Sequence, residues 1–207
     1  LMAAQVLRFF PSYVALREKL GKLGTARSAI FRRRCAAPFW SDWLKNKDLS
    51  GGGVFDLLIH DVDFVIHLFG MPEAVSAVGY ENLDAGIDWI TAELHYPNLE
   101  GVVVSGGWHH PKAYPFSMEY TVVADGGTVE YHSSHLEPHL YNTKGEALPL
   151  SLPKTDGFQA ELEYFARCCN NNEQPEICPP EQSAAAVRLT RLISEARISK
   201  GDKIPCR

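Results

Sequence analysis

The residues best suited to chemistry sit on one helix-length segment, Val54 to Phe69: Asp56, His60, Asp63 and His67, spaced four, three and four positions apart. At about 100° per residue these intervals put all four within roughly 60° of arc. They form a polar stripe on a helix that is otherwise apolar, apart from Asp61. Carboxylates and imidazoles exchange protons near neutral pH, whereas an ordinary wet face is built from Lys, Glu and Gln. The stripe begins just after Gly51-Gly52-Gly53, where a backbone or a ligand can come close. His60 is the expected proton acceptor, and Asp56, one turn earlier, would hold a substrate hydroxyl or stabilise the imidazolium. Asp63 and His67, further from the glycines, read as structural. The competing reading is the solvated face of an amphipathic helix, and the stripe is narrow for that.

Other candidates lie outside the helix. His109, followed by His110 and Pro111, ends a strand where a substrate pocket could have its rim. Trp43, in a loop with Pro38, Phe39 and Trp40 just before the glycines, could stack on the face of a ring or pack under the loop. Arg8 is expected to reach a cofactor or substrate, with a surface salt bridge as the alternative. His132, His135 and His139 with Glu137 have no fixed metal geometry, so no metal site is assigned and exposed loop histidines are expected. The run Arg32-Arg33-Arg34 reads as part of one strand with arginines on alternating faces, at most one or two of them reaching a phosphate.

The elements that must position these groups follow from periodicity and punctuation. Leu1 to Phe10 reads as a strand, and Pro11 opens a helix through Leu20 that Gly21 and Gly24 end. Thr25 to Cys35 is a second strand. Val54 to Phe69 is a buried helix stopped by Gly70-Met71-Pro72. Then the period changes: Ala74 to Tyr80, Asp88 to Tyr96, Gly101 to Trp108, Met118 to Ala124 and Thr128 to His132 are short, rich in Val, Tyr and Thr, and separated by turn signals. They predict an antiparallel meander. Phe158 to Cys169, with Phe158, Leu162 and Phe165 at helical spacing, and Pro180 to Ser199 are the last helices. Helices flanking a run of strands define an α+β fold.

A chain of 207 residues with 45% hydrophobic and 22% charged residues has the composition of a globular domain. A net charge of −5 argues against a nucleic-acid partner, which requires clustered Lys and Arg. No apolar run approaches the roughly 20 residues needed to cross a bilayer, so no membrane partner is expected. Five cysteines form an odd set without a C-x-x-C, which fits a reducing, cytoplasmic setting. The opening Leu1-Met2-Ala3-Ala4-Gln5-Val6-Leu7 reads like the middle of a strand, so the chain is expected to be a fragment of something longer.

The block G-G-G-x-x-D-x-x-x-H-D-x-D from Gly51 to Asp63 resembles the glucose-fructose oxidoreductase and inositol dehydrogenase family. Weaker matches follow in the family's order: Leu7-Arg8-Phe9-Phe10-Pro11, Leu20 to Gly24, Leu68 to Pro72, Gly126-Gly127, Phe158 to Leu162 and Leu189 to Ser199. The resemblance implies that residues 1–207 are the substrate-binding and oligomerisation half, an open, mostly antiparallel sheet with helices on one face. It implies an N-terminal dinucleotide-binding domain outside this chain, with a catalytic Lys and a glycine-rich nucleotide loop that have no counterpart here. The family's catalytic Asp and His fall on Asp56 and His60. The implied activity is hydride transfer between a sugar or polyol hydroxyl and NAD or NADP. A homodimer or homotetramer through the free sheet face is expected, on the ground that Ile90, Ala92, Leu94, Val102 and Val104 would otherwise lie bare. Two further classes stay open: a non-catalytic sugar-binding or oligomerisation module, and a metal-dependent hydrolase or lyase using Asp56 and His60.

Overall fold

The computed structural model describes residues 1–38 and 40–207; Phe39, grouped above with Trp40 and Trp43, lies outside the described residues. In chain order the elements are α1 (Pro11–Leu20), β1 (Ala26–Cys35), the short α2 (Asp42–Lys45) and α3 (Lys47–Ser50), α4 (Ile59–Phe69), β2 (Ala74–Asn82), β3 (Ile87–His95) and β4 (Val102–Trp108). There follow β5 (Ser117–Ala124), β6 (Gly127–His132), β7 (Leu136–Asn142), β8 (Ala147–Pro149), α5 (Gly157–Asn171), α6 (Pro180–Ile198) and β9 (Ile204–Pro205). Helices and strands alternate only at the ends of the chain, so the α+β class holds. No helix among the described residues is long and apolar enough to cross a membrane.

Among the described residues the strands form one nine-stranded sheet, in the order β8-β7-β6-β5-β1-β4-β3-β2-β9. The expected meander is interrupted. β1 inserts between β4 and β5, parallel to β4 (Ala29↔Val102 through Cys35↔Trp108) and antiparallel to β5. The connection from β4 to β5 is not a tight turn but a loop holding Pro111 and Pro115, which lets the chain step over β1. Every other ladder is antiparallel.

The segment Leu1 to Phe10 is not a strand; its regular part is one 3-10 turn, Val6–Arg8. Leu7 and Arg8 are both buried although they are neighbours, which the period-two alternation of a half-buried strand does not allow. The turn aims Arg8 inward, and Pro11 at the first helical position then starts α1.

One face of the sheet packs on the helices and makes the core, with Phe31, Ile90, Ala92, Leu94, Val102, Val104, Tyr120 and Val122 meeting Tyr13, Leu16, Val62, Phe64, Val65, Leu189 and Ile193. This corrects the patch proposed for oligomerisation: Ile90, Ala92, Leu94, Val102 and Val104 are at most 1% exposed and face the helices. The opposite face carries Ile30, Arg32, Arg34, Thr91, Glu93, Val103, Ser105 and Glu119, a mixed surface rather than an apolar one.

Candidate active site

β1 and β4 run parallel, so their C-terminal ends, Cys35 and Trp108, lie side by side. The chain leading into α4 crosses these ends. Glycine is required there for the approach of the sheet: a Cβ on Gly52 would stand 2.6 Å from Asp88 Oδ2, and one on Gly53 2.7 Å from the Trp108 indole. Side chains of this chain therefore occupy the space that the glycines open. Asp88 Oδ2 accepts the Val54 N–H at 3.0 Å, capping the helical run. That run begins as a π-helical turn, Val54–Leu58, before becoming α-helical. His60, Asp63 and His67 lie on α4 itself, and Asp56 lies in the wider turn that precedes it.

What divides them is their partners. Asp61 is fully buried and bound by Arg33, whose Nε donates to Oδ2 at 2.7 Å and Nη2 to Oδ1 at 3.1 Å. The same Nη2 donates to the Tyr13 hydroxyl at 3.3 Å. Asp63 is held by Arg8 through bonds of 2.8 and 2.7 Å. Arg8 also donates to the Ile177 carbonyl at 2.5 Å and to Gln182 Oε1. Buried carboxylates need such charged partners, because an unpaired one carries a large desolvation penalty.

Among the described residues Asp56 and His60 have no ion-pair partner. Asp56 is half-buried and accepts a hydrogen bond from Trp108 Nε1–H at 3.2 Å. Burial pushes its carboxyl above the usual carboxylate range, and the Trp108 bond opposes that shift. Trp108 is fully buried against Leu44 and Leu57 and fixes the carboxylate. Cys35 packs beside this cluster, and burial, then the charge of Asp56, pushes its thiol up to about 11, so it stays protonated at neutral pH. Burial, then the Arg33 guanidinium, pushes the His60 imidazole down to about 4, with Asp61 pulling weakly the other way. Its Nδ1 is enclosed and has no hydrogen-bond partner among the described residues. His67 is likewise pushed down to about 4 by burial, then by Arg8 and Arg17, and there the enclosed, unpartnered nitrogen is Nε2.

The remaining candidates divide. Trp43 is 55% exposed on α2, next to Leu44, which packs on Trp108, so it borders the Asp56 cluster. His109 faces the other side of the sheet. Trp108 points to the helices, and the alternation carries His109 onto Tyr80 and Trp89, with Tyr80 Oη 2.5 Å from its Nδ1. Arg8, assigned to the cofactor, is 1% exposed and wholly engaged inside the protein. Arg32 and Arg34 both pair with Glu119 on the open face, at 2.8 and 3.0 Å, so the alternation expected for the run is present without a phosphate role. His132 also pairs with Glu119, at 2.9 Å, and His139 sits within β7 rather than in a loop. The groups missed in the sequence are Arg33, Asp61, Asp88 and Trp108. Asp61 was signalled by being a second kind of polar residue on an apolar helix, one that had to find a cation.

The helix head laid across the ends of a parallel strand pair thus carries a half-buried carboxylate and a largely buried imidazole. The chain matches, over residues 15–205, the model of an oxidoreductase family's C-terminal alpha/beta domain. The chain belongs to this family, the glucose-fructose oxidoreductase and inositol dehydrogenase family. It is similar to D-xylose 1-dehydrogenase (NADP(+)) 2 of Haloferax volcanii, 25% identical over 95% of this chain and 62% of the relative. It is 26% identical to a scyllo-inositol 2-dehydrogenase (NADP(+)) of Bacillus subtilis, over 99% of this chain and 63% of that one. The structure of an aldose-aldose oxidoreductase from Caulobacter crescentus complexed with glycerol superposes with a TM-score of 0.76, over 99% of this chain and 63% of that chain; at 19% identity this shows the shared fold. The chain spans just under two thirds of the length of these relatives.

Proposed function

We propose that this chain is the substrate-binding part of a nicotinamide-dependent oxidoreductase acting on a hydroxyl of a sugar or polyol. The observation that carries the reading is the division on the helical run from Val54 to Phe69. Asp61 and Asp63 are each held by an arginine, whereas Asp56 and His60, at the glycine end, have no ion-pair partner among the described residues. The relatives, a D-xylose dehydrogenase and a scyllo-inositol dehydrogenase that both use NADP(+), support the substrate class and the use of a nicotinamide cofactor. The nicotinamide is the hydride acceptor in this reading, held by a dinucleotide-binding domain outside these residues.

Within the chain, the work is done at the reacting oxygen. An alcohol that loses hydride must also lose its hydroxyl proton, and a carboxylate raised above its ordinary range accepts a proton more readily than an ordinary one. Asp56 would take that proton, with Trp108 holding it in place, and His60 would hold the same oxygen. Trp43 would cover one face of the sugar ring. His109 and Arg8 play no part in this reading.

Two measurements test it. In the complete protein, Asp56→Ala and His60→Ala should each lower turnover by about 10²- to 10⁴-fold while leaving nucleotide affinity intact; parent-like turnover in both would end the assignment. Calorimetry of residues 1–207 with NADP or NAD should show no micromolar binding, and tight binding would contradict the division of labour.

A further inference from the structure

We infer that Asp88 is a positioning residue for Asp56, and that it acts by joining the head of the helical run from Val54 to the C-terminal helix α6. The inference deepens the oxidoreductase reading and rests on it for the importance of Asp56, but the contacts that carry it belong to this chain alone.

A helical run that opens on glycines cannot cap itself. The first N–H groups of a helix lack acceptors within it, and Gly53, at the cap position, has no side chain to offer. The cap comes instead from Asp88, 34 positions further on. The glycines and the distant cap are one device, because a Cβ on Gly52 would collide with Asp88 Oδ2. Asp88 and Trp108 are partners across the β3–β4 ladder. Cross-strand partners send their side chains to the same face, and this pair sends both to the helix head. Asp88 holds the Val54 N–H, and two residues on, Trp108 holds the Asp56 carboxylate. The backbone there is the wide turn, closed by the Ile59 N–H on the Val54 carbonyl. Where Val54 is fixed therefore sets where Asp56 stands.

The second oxygen of Asp88 explains why the cap is a carboxylate. Oδ1 accepts from Arg197 Nη1, in the last turn of α6. The same guanidinium donates through Nη2 to Glu81 Oε2 at 2.7 Å, and Lys47 of α3 donates to Glu81 Oε1 at 2.6 Å. Asp88 is fully buried. A cap alone would need no charge there, since Asn or Ser satisfies one N–H at a smaller desolvation cost. A buried carboxylate that accepts on both oxygens ties two elements together: the helix head with Asp56, and the end of α6.

Two variants separate positioning from ion pairing. Asp88→Asn keeps the shape but turns its amide NH2 against either Arg197 or the Val54 N–H, donor facing donor. Asp88→Glu keeps the charge for Arg197 but, one methylene longer, displaces the carboxylate in a space that Gly52 already closes. The readout is the Trp108 indole N–H in proton–nitrogen spectra of the nitrogen-15-labelled 207-residue chain, identified by its loss in Trp108→Phe. In the parent this signal should shift as Asp56 titrates, a step that Asp56→Asn abolishes. Both Asp88 variants should lose most of the step. Arg197→Gln, which removes the anchor on α6, should do the same and stands in if neither Asp88 variant folds. A parent-sized step in any folded variant overturns the inference, and a step restored by Asp88→Glu reduces Asp88 to an ion-pair partner. A parent signal that ignores Asp56 overturns it too, since the contact it rests on would be absent. In the complete protein the same variants should lower polyol turnover by about 10²-fold, the cost of misplacing a reacting group by about 1 Å, with nucleotide affinity unchanged. If the step is lost and turnover stays parent-like, Asp88 positions Asp56 and it is the catalytic assignment of Asp56 that falls.

Discussion

Helices α4 and α5 treat unfavourable side chains in opposite ways. α4 buries two carboxylates, Asp61 and Asp63, completely, and each has an arginine within 2.8 Å. α5 leaves Phe158, Leu162 and Phe165 at 59%, 69% and 38% exposure, while its Glu161 is turned inward with Oε1 unpartnered. A buried charge must find its counter-charge in the same fold, or the fold fails. An apolar stripe has no such requirement and can wait for whatever covers it. α4 therefore pairs its buried carboxylates within this chain, whereas α5 leaves its apolar stripe exposed.

The largest effect should come from taking away one of the arginines. Arg33→Met leaves Asp61 buried and unpaired, which typically costs about 3–5 kcal/mol, or roughly 6–20 °C in melting temperature for a chain of this size. Denaturant unfolding checks it. The double variant Arg33→Met, Asp61→Leu should recover most of the loss, because a well-packed apolar pair of similar volume often replaces a buried ion pair without penalty. A single-variant loss below about 1 kcal/mol would mean that α4 does not depend on its pairs, and the contrast with α5 would collapse.

The same contrast explains what the sequence discloses. α1, β1, the helix from Val54 to Phe69 and the strands β2 to β6 each carry their own period and their own Gly or Pro punctuation, so they are legible locally. The type and spacing of Asp56 and His60 mark them in the same way. What is not legible is pairing at a distance: β1 between β4 and β5, or Arg8 with Asp63, 55 positions apart. Nor does a period-counting argument see the π-helical turn in which Asp56 sits. β7 hides because Pro138 sits within it, at a register shift where a missing N–H does no harm. For α5 the spacing of Phe158, Leu162 and Phe165 discloses a helix, but not that this face points outward.

The next effect depends on pH. His67 is pushed from an ordinary 6.5 to about 4 in the folded chain. Between those values the unfolded state binds more protons, so folding loses stability as pH falls through that window and is unaffected above it. Relative to the parent, His67→Gln should gain roughly 1–3 kcal/mol on going from pH 7.5 to pH 4.5, after allowance for partial exposure of the ring. Melting curves at the two pH values measure it. A difference that stays constant with pH would show that α4 holds His67 no more tightly than solvent does.

The smallest effects should appear on α5, where two adjacent residues are predicted to behave in opposite ways. Leu162 stands in solvent, so Leu162→Gln should change stability by less than about 0.5 kcal/mol, against the 2–5 kcal/mol typical of removing a core leucine. Glu161 is 7% exposed, and burial alone pushes its carboxyl up. Its charged form is penalised only in the folded state, so the penalty is present at neutral pH and disappears once the group is protonated in both states. Glu161→Gln removes that penalty with little change in shape, and should stabilise the chain by about 1 kcal/mol at pH 7 and by nothing near pH 4. Unfolding at both pH values decides the matter. If Leu162→Gln destabilises strongly, or Glu161→Gln destabilises at pH 7, then α5 is packed with its apolar face inward in solution, and it resembles α4 instead of opposing it.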